Sequence, residues 1–216
     1  MKVLVFDTET TGLPIGKNPS IIETDKWPYI VQLSYVYYDT VKKIMIESRD
    51  YIIKIPNSVV ISSESIAIHK ITPEICDDEG VSIKAVLDKF NACLQDCDVV
   101  VGHNISFDKR LVMVESIRHK MKQHFTTIGV RVPEYCTMKN SVDLCKIPVT
   151  SKEGKVYFKY PKLSELHQHL FKSVPGGLHN ALIDVLVCLR CYVMMEHNYD
   201  IATDSNAMLE AMVSKF

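Results

Sequence analysis

Neither positive nor negative charge is in excess in this chain. Across 216 residues, 25 lysines and arginines face 26 aspartates and glutamates, leaving a net charge of −1. Proteins that grip nucleic acid broadly through its backbone carry a clear positive excess. Any such contact here has to be local, and a site that holds one strand end through metal ions would suit this balance. Long hydrophobic runs are missing too, and no apolar stretch approaches the roughly 20 residues that span a bilayer. The N-terminus meets Asp7 before a signal-peptide core can form. The chain shows no internal repeat, low-complexity tract or linker. Its seven cysteines are odd in number and scattered, and a chain of this size needs no staples, so reduced thiols are expected. Cys188 and Cys191 form a C-x-x-C with His197 beyond. Zinc would need a second ligand pair, and none is evident, so both are expected to pack. These absences lead to an expectation of one domain over residues 1–216, without a membrane segment, in the cytoplasm or nucleus. Its core should occupy about 1–197, and a helical tail about 198–216.

What is present begins at VLVFDTETTGLP, residues 3–14. Three apolar residues lead into Phe6, and Asp7 and Glu9 follow two positions apart. Strand side chains alternate faces, so these two carboxylates stand side by side at the end of a buried strand. Ionised, they repel, and burial makes that worse. A cation between them relieves both problems; a polar turn with both acids solvated is the plain alternative.

The chain in order predicts a sheet with helices on it. Residues 2–8 read as a strand, and 9–28, with Gly12, Pro14, Gly16, Pro19 and Pro28, as a long loop. Tyr29 to Asp39 and Lys43 to Lys54 read as strands joined by a short connection, hence an antiparallel hairpin. Ser63 to His69 reads as a short helix, and Thr72-Pro73 as the cap and first turn of another. Ile83, Val86, Leu87, Phe90 and Leu94 recur at helical spacing. Asp98 to Gly102 is a short apolar strand, and Asn104 is placed to cap the helix after it. Strand-helix order from there predicts parallel additions to the sheet. Residues 122–136 give no clear pattern. A short helix is expected over Thr137 to Leu144, a hairpin or exposed loop over Lys152 to Lys162, and helices over Leu163 to Phe171 and about Asn180 to Met195. The tail from Asp204 is expected to form a further amphipathic helix.

Two more acids sit where such a sheet can gather them. Asp108 lies in the first turns of a helix just after a buried strand, a place an acid also favours for the helix dipole alone. Asp184 lies inside the last long helix beside its apolar stripe. His179 precedes it by five residues, about 500° of helical turn, so the two share no helical face and His179 belongs to the preceding loop. Four carboxylates and a histidine suit phosphodiester hydrolysis: two divalent ions about 4 Å apart clamp the oxygens around phosphorus. Magnesium prefers oxygen ligands, and a histidine near neutrality can take the proton from the attacking water.

FDTETTGL, GHNISFD and HNALID, in that order, resemble the three motifs of the DEDDh exonucleases, over roughly residues 1–197. The resemblance implies an α/β, ribonuclease-H-like fold with a mixed five-stranded sheet flanked by helices. It implies hydrolysis from the 3′ end with release of nucleoside 5′-monophosphates. It implies Asp7, Glu9, Asp108 and Asp184 as ligands of two Mg²⁺ or Mn²⁺ ions, and His179 as general base. SESIAIHKIT resembles a further family run, implying that Glu64 and His69 contact the terminal nucleotide. Lys70 stands there in place of the usual glycine and puts the local backbone path in question. Thr11, Leu13, His103 and Asn104 are implied as further substrate contacts; a helix cap and its neighbour is the plain reading of the last two.

The basic-aromatic stretch with Lys152, Lys155, Tyr157, Phe158, Lys159 and Tyr160 either stacks bases and meets phosphates or is a solvated hairpin. The implied partner is a nucleic-acid 3′ end, single-stranded or frayed, with DNA favoured by the TETTG and Ile-His-x-Ile-Thr features. A proofreading role would require a polymerase partner, and a homodimer stays open. An exoribonuclease for short or structured RNA and a catalytically silent adaptor also stay open at this point.

Overall fold

A computed structural model describes residues 1–127 and 130–203 of the chain. Five strands form the central sheet: β1 (Lys2–Thr10), β2 (Ile30–Asp39), β3 (Ile44–Ile52), β4 (Val99–Gly102) and β7 (Glu134–Cys136). Their order is β3-β2-β1-β4-β7. β1, β2 and β3 run as an antiparallel meander, and β4 and β7 add in parallel. This is the mixed five-stranded sheet expected from sequence.

The helices are α1 (Ser63–His69), α2 (Pro73–Asp78), α3 (Ile83–Asp96), α4 (Ser106–Arg118), α5 (Thr137–Asn140), α6 (Val142–Cys145), α7 (Leu163–Phe171) and α8 (Ala181–His197). Two small ribbons lie outside the main sheet, β5 (Thr126–Thr127) with β6 (Val130–Arg131), and β8 (Pro148–Thr150) with β9 (Val156–Phe158). Among the described residues, no helix is long and apolar enough to cross a membrane.

Parity along β1 decides which side chain meets which helix. Leu4 and Phe6 face one layer, with Leu87 and Phe90 of α3 and Leu111 and Val114 of α4. Val3 and Val5 face the other, with Val185, Leu189 and Val193 of α8. Both layers are apolar, so β1 is buried on both sides, as its unbroken apolar run requires. All seven cysteines are free, and Cys188 and Cys191 are buried packing residues within α8.

Several details differ from the sequence reading. β1 continues through Thr10, so the expected loop starts later and Glu9 is a strand residue. Asn104 does not cap α4: Ile105 precedes the helix with no side-chain cap, and Asn104 adopts φ +69°. Its carbonyl, not its side chain, bonds Phe107 N–H. Residues 122–136 hold β5, β6 and the sheet edge β7, each only two or three residues long, too short to leave a period. The helix expected at 137–144 breaks into α5 and α6 at Ser141. The tail from Asp204 lies outside the described residues.

Candidate active site

Asp7 and Glu9 share the odd parity of Val3 and Val5, so they point to the α8 side of the sheet. Asp184 sits in the first turn of α8. One carboxylate oxygen from each of Asp7, Glu9 and Asp184 lies within 4.8 Å of the other two. Among the described residues, no lysine or arginine pairs with any of the three. Burial, then Asp108, Asp184 and Glu9, hold Asp7 well above the ordinary carboxylate range. Burial, then Asp184 and Asp108, push Glu9 up to about 8. Burial lifts Asp184 to about 6, opposed by the His179 N–H. The carboxylates crowd one another.

Asp108 comes from the opposite layer. Thr8 has even parity and faces α4, where its N–H and Oγ1–H both donate to Asp108 Oδ1, at 3.1 and 2.7 Å. Asp108 is buried, and burial raises it to about 7 against those two bonds. Its charge acts on Asp7, so it borders the cluster of three. Thr8 is a residue the sequence reading passed over; its signal is a hydroxyl between two acids in a strand end.

The start of α8 is set by contacts that the sequence did not advertise. Asn180 caps the helix, accepting from Ile183 N–H at 3.3 Å. Buried Gln32 lies across from Glu9 on β2 and accepts Ala181 N–H at 3.3 Å. It also donates to Asp50 at 2.8 Å, so its amide is satisfied at both ends. Gln32 thereby fixes the first turn of α8, and Asp184 with it, against the strand that bears Glu9. His179 is in the loop before the helix, as expected. Its ring is exposed, its φ is +72°, and its N–H donates to Asp184 Oδ2 at 3.0 Å. Gly177, at φ +72°, makes that loop turn; a Cβ there would meet Ile183 Cδ1 at 2.6 Å.

A recess of about 620 Å³ opens beside Glu9, lined in part by Leu13, Glu64, Ile68, His69 and Phe107. Leu13 is 81% exposed at its mouth. Glu64 is exposed on α1. A second recess, about 450 Å³, shares Leu13 and Phe107 and holds Asn104. The larger hollow of about 710 Å³ by Glu115 and Arg118 contains none of the four acids.

Other residues implied as substrate contacts also hold the frame. His69 is buried. It accepts Ile71 N–H at Nδ1 (3.0 Å), so Nε2–H donates to Thr10 O (3.2 Å). Burial lowers its pKa. His103 Nε2–H donates to Pro161 O at 3.0 Å, and Nδ1 accepts from Thr137 Oγ1 at 3.0 Å. Burial lowers His103 to about 4, which keeps this neutral tautomer. Neither ring has a nitrogen left for substrate. Thr11 is buried, accepts Tyr29 N–H at Oγ1 (3.0 Å) and Ser62 N–H at its carbonyl (2.9 Å), and joins β1 to β2 and α1. Lys70 resolves the question of the missing glycine: it ends α1 at φ +65°, the left-handed conformation a glycine would take.

The sequence matches the exonuclease family (RNase_T) over residues 4–192. The chain belongs to the exonuclease family. The three motifs that resemble those of the DEDDh type all lie within that span. No curated protein sequence is significantly similar to it. Among solved structures, E. coli Exonuclease I with a 5cy-dT13 oligonucleotide has a TM-score of 0.65 at 15% identity, covering 91% of this chain and 41% of that one. The same enzyme with a dA16 oligonucleotide gives 0.61 at 15%, covering 90% and 41%. Exonuclease I from Methylocaldum szegediense gives 0.60 at 15%, covering 93% and 42%. At that identity the likeness is one of fold. This exonuclease-family chain spans about two fifths of the length of those structures.

Proposed function

We propose that the chain is a metal-dependent 3′-to-5′ exonuclease that acts on DNA and releases nucleoside 5′-monophosphates. The observation that supports this most is the trio Asp7, Glu9 and Asp184, with oxygens within 4.8 Å of one another and no lysine or arginine paired with them among the described residues. An all-carboxylate set of this kind fits Mg²⁺ or Mn²⁺. Asp7, Glu9 and Asp184 would hold the ions, with Asp108 completing the set from across the sheet. Bound divalent ions would neutralise the carboxylates and the charge that develops on the phosphodiester.

The protein's own groups do the rest. The recess by Glu9 takes the terminal nucleotide, with Leu13 and Phe107 against its base and Glu64 at its rim. His179, exposed on the loop before α8, takes the proton from the attacking water. Asp184 holds that loop through the His179 N–H. His69 and Thr11 act one step back, fixing Thr10 and the loop that carries Leu13. The DNA preference draws support from the oligonucleotides bound to the structurally similar exonucleases.

The test is a side-by-side digestion of 5′-labelled single-stranded DNA, duplex DNA and RNA of matched sequence, with Mg²⁺ or Mn²⁺ and with chelator. The expected result is a ladder shortening from the 3′ end, fastest on single-stranded DNA and stopped by chelator. Faster loss of RNA would make the chain an exoribonuclease. No shortening with either metal would make it a binding adaptor.

A further inference from the structure

The hairpin β8–β9 departs from the rest of the surface. Val156, Tyr157, Phe158 and Tyr160 are 63, 51, 45 and 59% exposed. A two-stranded ribbon with three-residue strands buries neither face well. Aromatic rings left in water contribute little to a fold, and clusters of them mark contact surfaces. Tyr157 pairs across from Val149 and Phe158 from Pro148, so the two rings face opposite sides of the ribbon.

The charge around these rings is one-sided. Residues 146–162 contain five lysines and one acid, Glu153, in a chain of net charge −1. Lys159 is occupied, 2.6 Å from Glu165. Lys152 and Lys155, at the exposed turn, have no ion pair among the described residues. The hairpin is also rooted at the right place. Its base closes through Lys159 N–H to Ile147 O. Its exit at Pro161 is tied by His103, the residue that follows β4. β4 lies beside β1, whose far end bears Asp7 and Glu9.

We propose that this hairpin is a stacking platform for the single strand that leads into the carboxylate cluster, with Tyr157, Phe158 and Tyr160 receiving unpaired bases and Lys152 and Lys155 meeting phosphates. The proposal rests on the exonuclease reading of that cluster and adds where the upstream strand runs. Base–aromatic stacking tolerates any sequence, because every base has a π-face. Paired bases already spend their faces on one another, so the platform selects unpaired strand. Protein interfaces, by contrast, are depleted in lysine, and two exposed lysines here sit at the turn just before the rings.

Fluorescence anisotropy in EDTA tests this, using 5′-fluorescein-labelled, phosphorothioate-linked dT20 and dT4. Two variants are compared with wild type: Tyr157→Ala with Phe158→Ala, and Lys152→Ala with Lys155→Ala. All four side chains are exposed, and circular dichroism verifies the fold. Each variant is expected to weaken dT20 binding by about tenfold or more. The advantage of dT20 over dT4 should shrink accordingly. The lysine variant should also reduce the salt slope by about 1.4, from two phosphates at roughly 0.7 each. Affinity for dT20 within twofold of wild type in both variants overturns the proposal. If those variants instead lose self-association in sedimentation, the patch is a protein contact. The readout needs no hydrolysis. An inactive chain that binds dT20 through the hairpin defeats only the exonuclease reading, and an active chain with unaltered variants defeats only the platform.

Discussion

Asp7 shows how one residue can serve activity at the expense of the metal-free fold. It lies against three other carboxylates, and burial adds to their repulsion. Asp7→Asn keeps the shape and removes the charge. We expect it to lower kcat by at least about a hundredfold, the scale of losing a main electrostatic group, while raising the melting temperature in EDTA at pH 8. Retained activity in a digestion assay would remove Asp7 from the site. His179→Ala should instead lower kcat by about 10²–10⁴ and leave Mg²⁺ affinity by calorimetry near wild type; equal turnover at pH 7 would assign the proton to another group. Lys70 offers a stability test away from the chemistry. A non-glycine residue at φ +65° costs about 1 kcal/mol. Lys70→Gly should therefore stabilise the protein by about 0.5–1 kcal/mol in urea unfolding. A loss of stability would mean that the lysine side chain contributes more than its backbone costs.

At the scale of elements, the site depends on how α8 meets β1. Gln32, Asn180 and the turn at Gly177 set the first turn of that helix and the loop before it. Gly177→Ala tests the loop directly, because it meets both a positive φ and Ile183 at 2.6 Å. The change should shift His179 and cut kcat about tenfold or more, with a smaller effect on KM for a short substrate. Wild-type kcat would show that the turn does not position the histidine. The two layers explain a second feature. Strand alternation sends Asp7 and Glu9 toward α8 and Thr8 toward α4, so Asp108 reaches the site from the other side and is met first by Thr8.

For the whole molecule, the crowded acids link stability to pH and to metal. Glu9, Asp108 and Asp184 are held at about 8, 7 and 6, against about 4 when unfolded. An acid raised in the folded state gives stability that is full below its unfolded pKa and is lost as pH rises through the folded value. The metal-free protein should therefore melt at progressively lower temperature from about pH 5 to pH 9. Added Mg²⁺ or Mn²⁺ should restore more at pH 8 than at pH 6. A flat melting profile by scanning fluorimetry in EDTA, with no gain from either ion, would count against a cation site here.

The sheet's longer strands, the main helices, the shared face of Asp7 and Glu9 and the loop position of His179 were legible in the sequence because each rests on local physics; Asp108 and Asp184 were singled out by the resemblance of their motifs. Period-2 and period-3.6 patterns mark what is buried, and two acids two apart on a strand must share a face. β7 was not legible, since three residues hold no period, and neither was the break between α5 and α6. Nor did the sequence disclose that His69 and His103 spend both ring nitrogens on backbone and Thr137. A histidine's partners come from segments far along the chain, and only their packing supplies them. The chain by itself determined which groups are available for chemistry. The tertiary structure decided which of them meet: Asp184 joins Asp7 and Glu9 because α8 packs on their face of β1, and Asp108 is held by Thr8 because α4 packs on the other.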